Sequence, residues 1–360
     1  MSLTSSSSSA SPKVALALGS GGARGYAHIG VLEVLQERGY DVVAVAGSSM
    51  GALVGGLHAA GVLPAFADWA RGLTQRDVLR MLDPSLSAPG AIRAEKILAQ
   101  VSRLLDGAVI EDLSVPYTAV ATDLRARREV WFQQGPVDVA IRASIALPTF
   151  ITPVVVDGRL LADGALMNPI PVAPTASVRS DLTIAVSVSG EIAADGARPP
   201  VRVVPDPPNA LEELRDRVRR SAARVFDLEL SGGLAELMSG ARPSVPRRRV
   251  AGEVSGGRAW LRARPASGSG GAPGSAEQGR GFAQPPDGLR TMDVMEMSLD
   301  AMQSVVAGYR MAGYPADLMI TIPKAACHTL DFHRAVELVA LGRQAATRAL
   351  DEWEQGAPGA

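Results

Sequence analysis

Residues 43–56 read VAVAGSSMGALVGG, and they hold the pattern Gly47-Ser48-Ser49-Met50-Gly51. An apolar run ends at Gly47, and an apolar run of helical character starts after Gly51. A serine between glycines at a strand-to-helix turn is the context of a nucleophile elbow. The turn is so sharp that side chains at Gly47 and Gly51 are expected to collide with the neighbouring strand and helix. It also puts Ser49 at a helix N-terminus, where partial positive charge favours a developing anion. Ser49 is therefore the candidate nucleophile and Ser48 a structural residue.

The same alternation extends in both directions. Upstream, KVALAL (13–18) reads as a buried strand, GSGGARG (19–25) as a loop and AHIGVLEVLQERG (27–39) as a helix stopped at Gly39. DVVAVA (41–46) is the second buried strand, and ALVGGLHAAG (52–61) the next helix. Strand, helix, strand, helix argues for an α/β fold with a parallel sheet. Downstream, residues 64–112 read mostly as helix broken by the loop DPSLSAPG. VPYTAVATD is a strand with REVWFQQG as its neighbour, and VDVAIRASIALP is a helix ended by Pro148. VVVDGRLLAD is a hairpin turning at Asp157-Gly158, which suits a type I′ turn. DLTIAVSVSG is a further buried strand.

From about Glu191 the character changes. Residues 191–240 hold a Pro-rich segment and the charged amphipathic pattern ALEELRDRVRRSAARVFDLEL. Residues 241–289 are crowded with Gly, Pro, Ser and Arg and read as loop or disorder. Order is expected to return over 290–352 as helix, strand (PADLMITIP) and helix, completing the domain whose core is 13–190. The methionines of TMDVMEMSLDAMQSVVAGYRMAGY are read as core positions. Residues 1–12 form a Ser-rich tail without a basic or apolar segment, so they are not read as a secretory signal.

Composition narrows the function. A net charge of −1 gives the chain no electrostatic reason to bind nucleic acid. The single cysteine, Cys327, excludes an internal disulfide and a cysteine-based zinc or iron–sulfur site. It fits a reducing compartment, so the expected location is the cytoplasm. No uninterrupted apolar run is long enough to span a bilayer, and membrane contact is expected to be peripheral, at the inner face.

The glycine loop Gly19–Gly25 fails as a dinucleotide fingerprint: Arg24 stands where the third glycine belongs, and the next strand ends in the Ser49 turn with no acid for a ribose. No cofactor or metal is expected. A glycine loop at a helix start can instead aim bare N–H groups at an anion, as an oxyanion hole requires. Gly21 and Gly22 are the candidate donors, with Ala23, Arg24 and Gly25 completing the loop and Arg24 fixing it.

A serine nucleophile needs a base, and the chain has four histidines. His58 lies over two helical turns beyond Ser49, out of reach. His28 belongs to the helix after the glycine loop, and His328 and His333 come late. Asp163 follows the apolar arm RLLA and precedes Gly164-Ala165, at a strand end. Partial burial raises a carboxylate's basicity toward working pH. By spacing alone Asp163 stands only slightly ahead of His333.

Four motifs occur in order: GSGGARGYAHIGVLEVL, GSSMGAL, AIRASIALPTFITPV and LADGALMNPIPV. Together they resemble the patatin-like phospholipase family, in the bacterial branch related to the neuropathy target esterase domain, over residues 13–190. LDFHRAVELVALGR also resembles that branch. The resemblance implies a three-layer α/β/α fold with a mostly parallel central sheet and hydrolysis of lipid ester bonds, of phospholipids or lysophospholipids, through an acyl-enzyme. It implies a Ser–Asp dyad: Ser49 as nucleophile, Asp163 as base within its Asp-Gly-Ala motif with Gly164 and Ala165, and Gly21, Gly22 and their neighbours as oxyanion loop. Ser20 departs from the all-glycine form of that loop, and residues 241–289 match no familiar segment. Two other readings stand beside this one: an esterase with a Ser–Asp–His triad using His333, and a non-catalytic lipid-binding protein. Residues 64–112 and 204–240 are the expected pocket walls.

Overall fold

The structure, a computed structural model, describes residues 11–81, 90–92, 94–190 and 291–356. Those from 11 to 190 and from 294 to 356 belong to one compact unit. The expected Ser-rich start, the Pro-rich segment with its amphipathic helix, and the Gly/Pro/Arg-rich stretch fall almost wholly outside the described residues.

Five strands run parallel at the centre. β1 (Lys13–Leu18) pairs with β2 (Asp41–Ser48) on one side and with β9 (Leu182–Gly190) on the other. β10 (Leu318–Pro323) extends the sheet beyond β9, and β4 (Tyr117–Asp123) extends it beyond β2. The far edge is antiparallel. β5 (Arg128–Phe132) pairs with β4, as does β8 (Arg159–Asp163), which forms a hairpin with β7 (Val154–Val156). Both turn residues of that hairpin, Asp157 and Gly158, have positive φ, as a type I′ turn demands. β3 (Gly90–Ile92) and β6 (Thr149–Ile151) make a separate two-stranded sheet that the apolar patterning does not announce.

Alternation along β1 and β9 sorts the layers. Val14, Leu16 and Leu18, with Ile184 and Val186, face a large core with α1 (Ala27–Glu37) and α2 (Met50–Ala59). Ala17 and Ala185 face the opposite way, toward Ile170, Val172 and the helix α7 (Thr291–Gly313), which contributes Ala307 and Met311. Helices on both faces explain why β1 and β9 read as continuous apolar runs. α3 (Leu63–Arg71), α4 (Gln75–Met81), α5 (Glu95–Leu105) and α6 (Val137–Ser144) follow in turn. Among the described residues no helix is long and apolar enough to cross a membrane.

α7 corrects one expectation. Three of its methionines are not core: Met295, Met297 and Met302 are exposed, with Val294, Val305 and Tyr309. Only its inner side, with Ala307 and Met311, meets the sheet layer. Helical periodicity identifies a stripe but not which way it faces.

The last helix, α8 (Ala335–Gly356), crosses α1 at backbone contact. A Cβ on Gly30 would lie 2.1 Å from the Val339 carbonyl oxygen, and one on Gly342 would lie 2.0 Å from that of Ala27. Arg343 flanks the crossing with ion pairs to Glu33 and Glu37. Gly30→Val is therefore expected to force the helices apart and cost at least about 1–3 kcal/mol. Thermal unfolding should shift down by roughly 5–10 °C, and an unchanged midpoint would refute the close crossing.

Candidate functional site

The β4 register brings two distant segments to one point. Ser48 pairs with Val120, and Asp163 pairs with Ala121, the next residue. β2 thus ends where β8 ends, and Ser49 is delivered beside Asp163. Ser49 has φ 56° and ψ −123°, a strained conformation for a residue with a side chain. The turn tolerates it because its flanks carry nothing. A Cβ on Gly47 would lie 2.3 Å from the Gly51 backbone, and one on Gly51 would lie 2.1 Å from the Leu18 carbonyl oxygen. Ser48 points the other way and donates to the Asn168 carbonyl at 2.6 Å.

Asp163 is fully buried. Its Oδ1 accepts the Ala165 amide at 2.8 Å. Oδ2 has no hydrogen-bond partner at full bonding geometry, although Ser49 is close enough to influence its ionisation. Burial pushes the carboxyl up to about 7, against the opposing pull of Ser49 and the Ala165 amide. A carboxylate in that range is poised to exchange a proton near neutrality.

The glycine loop lies at the same sheet end. Gly19 and Ser20 are tied down by amide bonds to Val186 and Pro169 carbonyls. Among the described residues the Gly21 and Gly22 amides have no acceptor, whereas the Ala23 amide is spent on the Thr329 carbonyl at 2.9 Å. Ala23 thus completes the loop without offering its amide to a ligand. Gly22 has φ +57°, and a Cβ there would lie 2.5 Å from the Thr329 oxygen, so only glycine fits. Arg24 is buried and clamps the loop. Its Nε donates to the Val188 carbonyl at 2.9 Å, and a terminal nitrogen reaches the carbonyls of Cys327 at 3.1 Å and Lys324 at 3.4 Å. Gly25 packs against Met50, joining the loop to the elbow. Gly164 has no room for a side chain, since a Cβ would lie 2.1 Å from the Val120 oxygen.

All four histidines lie among the described residues, and none bonds to Ser49. His28 is buried with Nε2 2.8 Å from the Gly19 carbonyl, to which it must donate. Burial lowers its pKa to about 4, so it stays neutral. His333 lies in the short turn before α8 and does not line the cavity described next.

Ser49 and Gly22 open onto an apolar cavity that reaches solvent, with no charged side chain among the described residues that line it. Phe66 and Trp69 of α3, Val78 of α4 and Ile97 of α5 form one wall, in the expected region. Phe150 and Phe332 form others that were not anticipated. Sequence reasoning also missed Ser144 on α6. Its hydroxyl accepts the Ser49 amide at 2.9 Å and donates to the Val120 carbonyl at 2.6 Å. The quoted stretch AIRASIALP contains it, but nothing in that stretch tells which strand it will bridge.

A family model described as patatin-like phospholipase matches residues 16–176. An uncharacterized NTE family protein of Mycobacterium tuberculosis is 50% identical over 351 residues, 96% of this chain and 93% of that protein. Human patatin-like phospholipase domain-containing protein 6 is 33% identical over 190 residues, 51% of this chain but 14% of that much longer protein. Among solved structures, VipD from Legionella pneumophila aligns with a TM-score of 0.45 and 13% identity, covering 95% of this chain and 67% of that one.

Proposed function

The chain belongs to the patatin-like phospholipase family, among its NTE members, and on that premise we propose that it hydrolyses carboxylic esters of phospholipids or lysophospholipids through an acyl-enzyme on Ser49, with Asp163 as the sole base. The observation that carries the reading is the register of β4. It sets the ends of β2 and β8 level with each other on either side of β4, so a strained serine meets a buried carboxylate at the mouth of an apolar cavity.

The chemistry follows from that placement. Ser49 Oγ attacks the ester carbonyl carbon while Asp163 Oδ2 takes its proton. Negative charge moves to the carbonyl oxygen, which the free amides of Gly21 and Gly22 receive. The intermediate collapses, the carbon–oxygen bond to the alcohol breaks, and Asp163 returns the proton to the leaving oxygen. Water then attacks the acyl-Ser49 ester, again losing a proton to Asp163; the bond from the acyl carbon to Ser49 Oγ breaks, Asp163 returns the proton to that oxygen, and the fatty acid leaves. The apolar cavity accepts the acyl chain, each buried CH₂ contributing about 0.8 kcal/mol. Lipid is met peripherally, from the cytoplasmic side.

A fluorophosphonate probe tests the nucleophile directly. The wild-type protein should be labelled at Ser49 and Ser49→Ala not at all, with Ser48→Ala retaining the label. Labelling that survives Ser49→Ala would end the proposal. No labelling of either protein would favour a lipid-binding role without chemistry.

A further inference from the structure

Resting on that reading, we propose that Asn168, held by Glu129 and Arg310, is a positioning residue that sets the three catalytic loops in register with one another. Its backbone is the junction where they meet. The Asn168 amide donates to the Gly164 carbonyl at 2.8 Å, within the turn that carries Asp163. Its carbonyl accepts the Ser48 hydroxyl at 2.6 Å, beside the nucleophile. The next carbonyl, of Pro169, accepts the Ser20 amide at 2.9 Å, at the root of the glycine loop. A displacement of residues 168–169 therefore moves base, nucleophile and oxyanion donors relative to each other.

The side chain fixes that junction. Asn168 is 1% exposed, and its Nδ2 donates to Glu129 Oε2 of β5 at 2.8 Å. Among the described residues its Oδ1 has no partner, so this charge-assisted bond is the amide's anchor there. Glu129 is aimed in turn by Arg310 of α7, whose guanidinium lies 2.9 Å from Oε1. Arg310 and Glu129 are partly exposed, whereas Asn168 at the inner end is buried. The acceptor is thus a half-buried carboxylate held by a cation on a different layer of the fold. Without Arg310, Glu129 is free to turn toward water, and the Asn168 amide loses its only fixed partner. None of the three side chains touches the cavity, so the effect reaches the reaction through geometry alone.

The test measures hydrolysis of p-nitrophenyl butyrate together with amide hydrogen exchange on the full chain. Asn168→Ala should lower kcat by about 10–10²-fold with KM little changed, as small misplacement of reacting groups does. Arg310→Met should lower it by several-fold, and Arg310→Lys should restore part of the loss. In both Asn168→Ala and Arg310→Met, exchange should quicken in residues 19–26 and 47–53 as well as near the substituted site. Quickened exchange confined to residues 128–132 and 164–172, with wild-type kcat, would reduce the cluster to local structure and overturn the proposal. If Asn168→Ala does not fold, the partly exposed Arg310→Met and Arg310→Lys pair decides the matter alone. Should wild-type protein neither cleave the ester nor label at Ser49, the dyad reading fails, while the exchange data still decide whether this cluster holds the loops.

Discussion

Asp163→Asn is expected to lower kcat/KM on a soluble p-nitrophenyl ester by about 10²–10⁴-fold, the range a general base contributes. His333→Ala is expected to leave it near the wild-type value, because that ring neither bonds to Ser49 nor lines the cavity. The reverse pattern would establish a histidine-dependent triad. The pH profile sharpens the expectation. The base acts only when ionised, so activity should rise with pH through about 7, where burial holds Asp163. An exposed carboxylate would give an acid limb near 3.8 instead. Stability should move in the opposite sense. Between 3.8 and about 7 the folded state binds a proton that the unfolded state does not. The carboxyl therefore favours the fold at low pH and loses that contribution as pH rises through 7. Asp163→Asn escapes this loss, so its melting temperature should gain on the wild type between pH 5 and pH 8. A constant difference across that range would contradict the raised pKa.

Arg24→Met should damage both the fold and the reaction. The methionine is of similar length but supplies no donor, leaving the carbonyls of Val188, Cys327 and Lys324 without the guanidinium that bridges them. Each buried acceptor left unsatisfied costs about 1–3 kcal/mol. Freed of the clamp, the loop no longer presents the Gly21 and Gly22 amides at a fixed place, and kcat should fall by about 10²–10³-fold, as when an oxyanion donor is removed. Arg24→Lys should recover little, since one ammonium cannot span acceptors on two segments as the planar fork does. The measurements are thermal unfolding and kcat on the same soluble ester. Lost stability with wild-type kcat would show that the loop holds its shape unaided.

The central strands and helices were legible because each is a local pattern. β1, β2 and β9 are apolar runs bounded by glycine or polar turns, and the Asp157-Gly158 hairpin turn is written in two adjacent residues. Ser49 stood out for the same reason, its glycine flanks being part of one short motif. Asp163 carried only the weak mark of a strand end. What selects it structurally is its pairing with Ala121 beside the Val120–Ser48 pair, a fact of register that no single segment contains. Ser144, Asn168, Glu129 and Arg310 were silent in sequence for a related reason. They are ordinary polar residues whose meaning comes from partners 24 to 181 positions away. The outward face of α7 was misread because periodicity is blind to direction. β3 and β6, each three residues long, lack the length to show a period at all.

The bonds from Ala23 to Thr329 and from Arg24 to Cys327 also bear on the order in which the protein is made. Ser49 and Asp163 both leave the ribosome well before residues 327–329, so the amide and guanidinium that shape the glycine loop find their acceptors only after nucleophile and base have emerged. A nascent chain can carry nucleophile and base and still lack the frame that receives the oxyanion. Late closure by a distant strap is therefore a built-in delay: on the proposed reading, competence comes only after residues 327–329 have been synthesised and have folded back onto the loop.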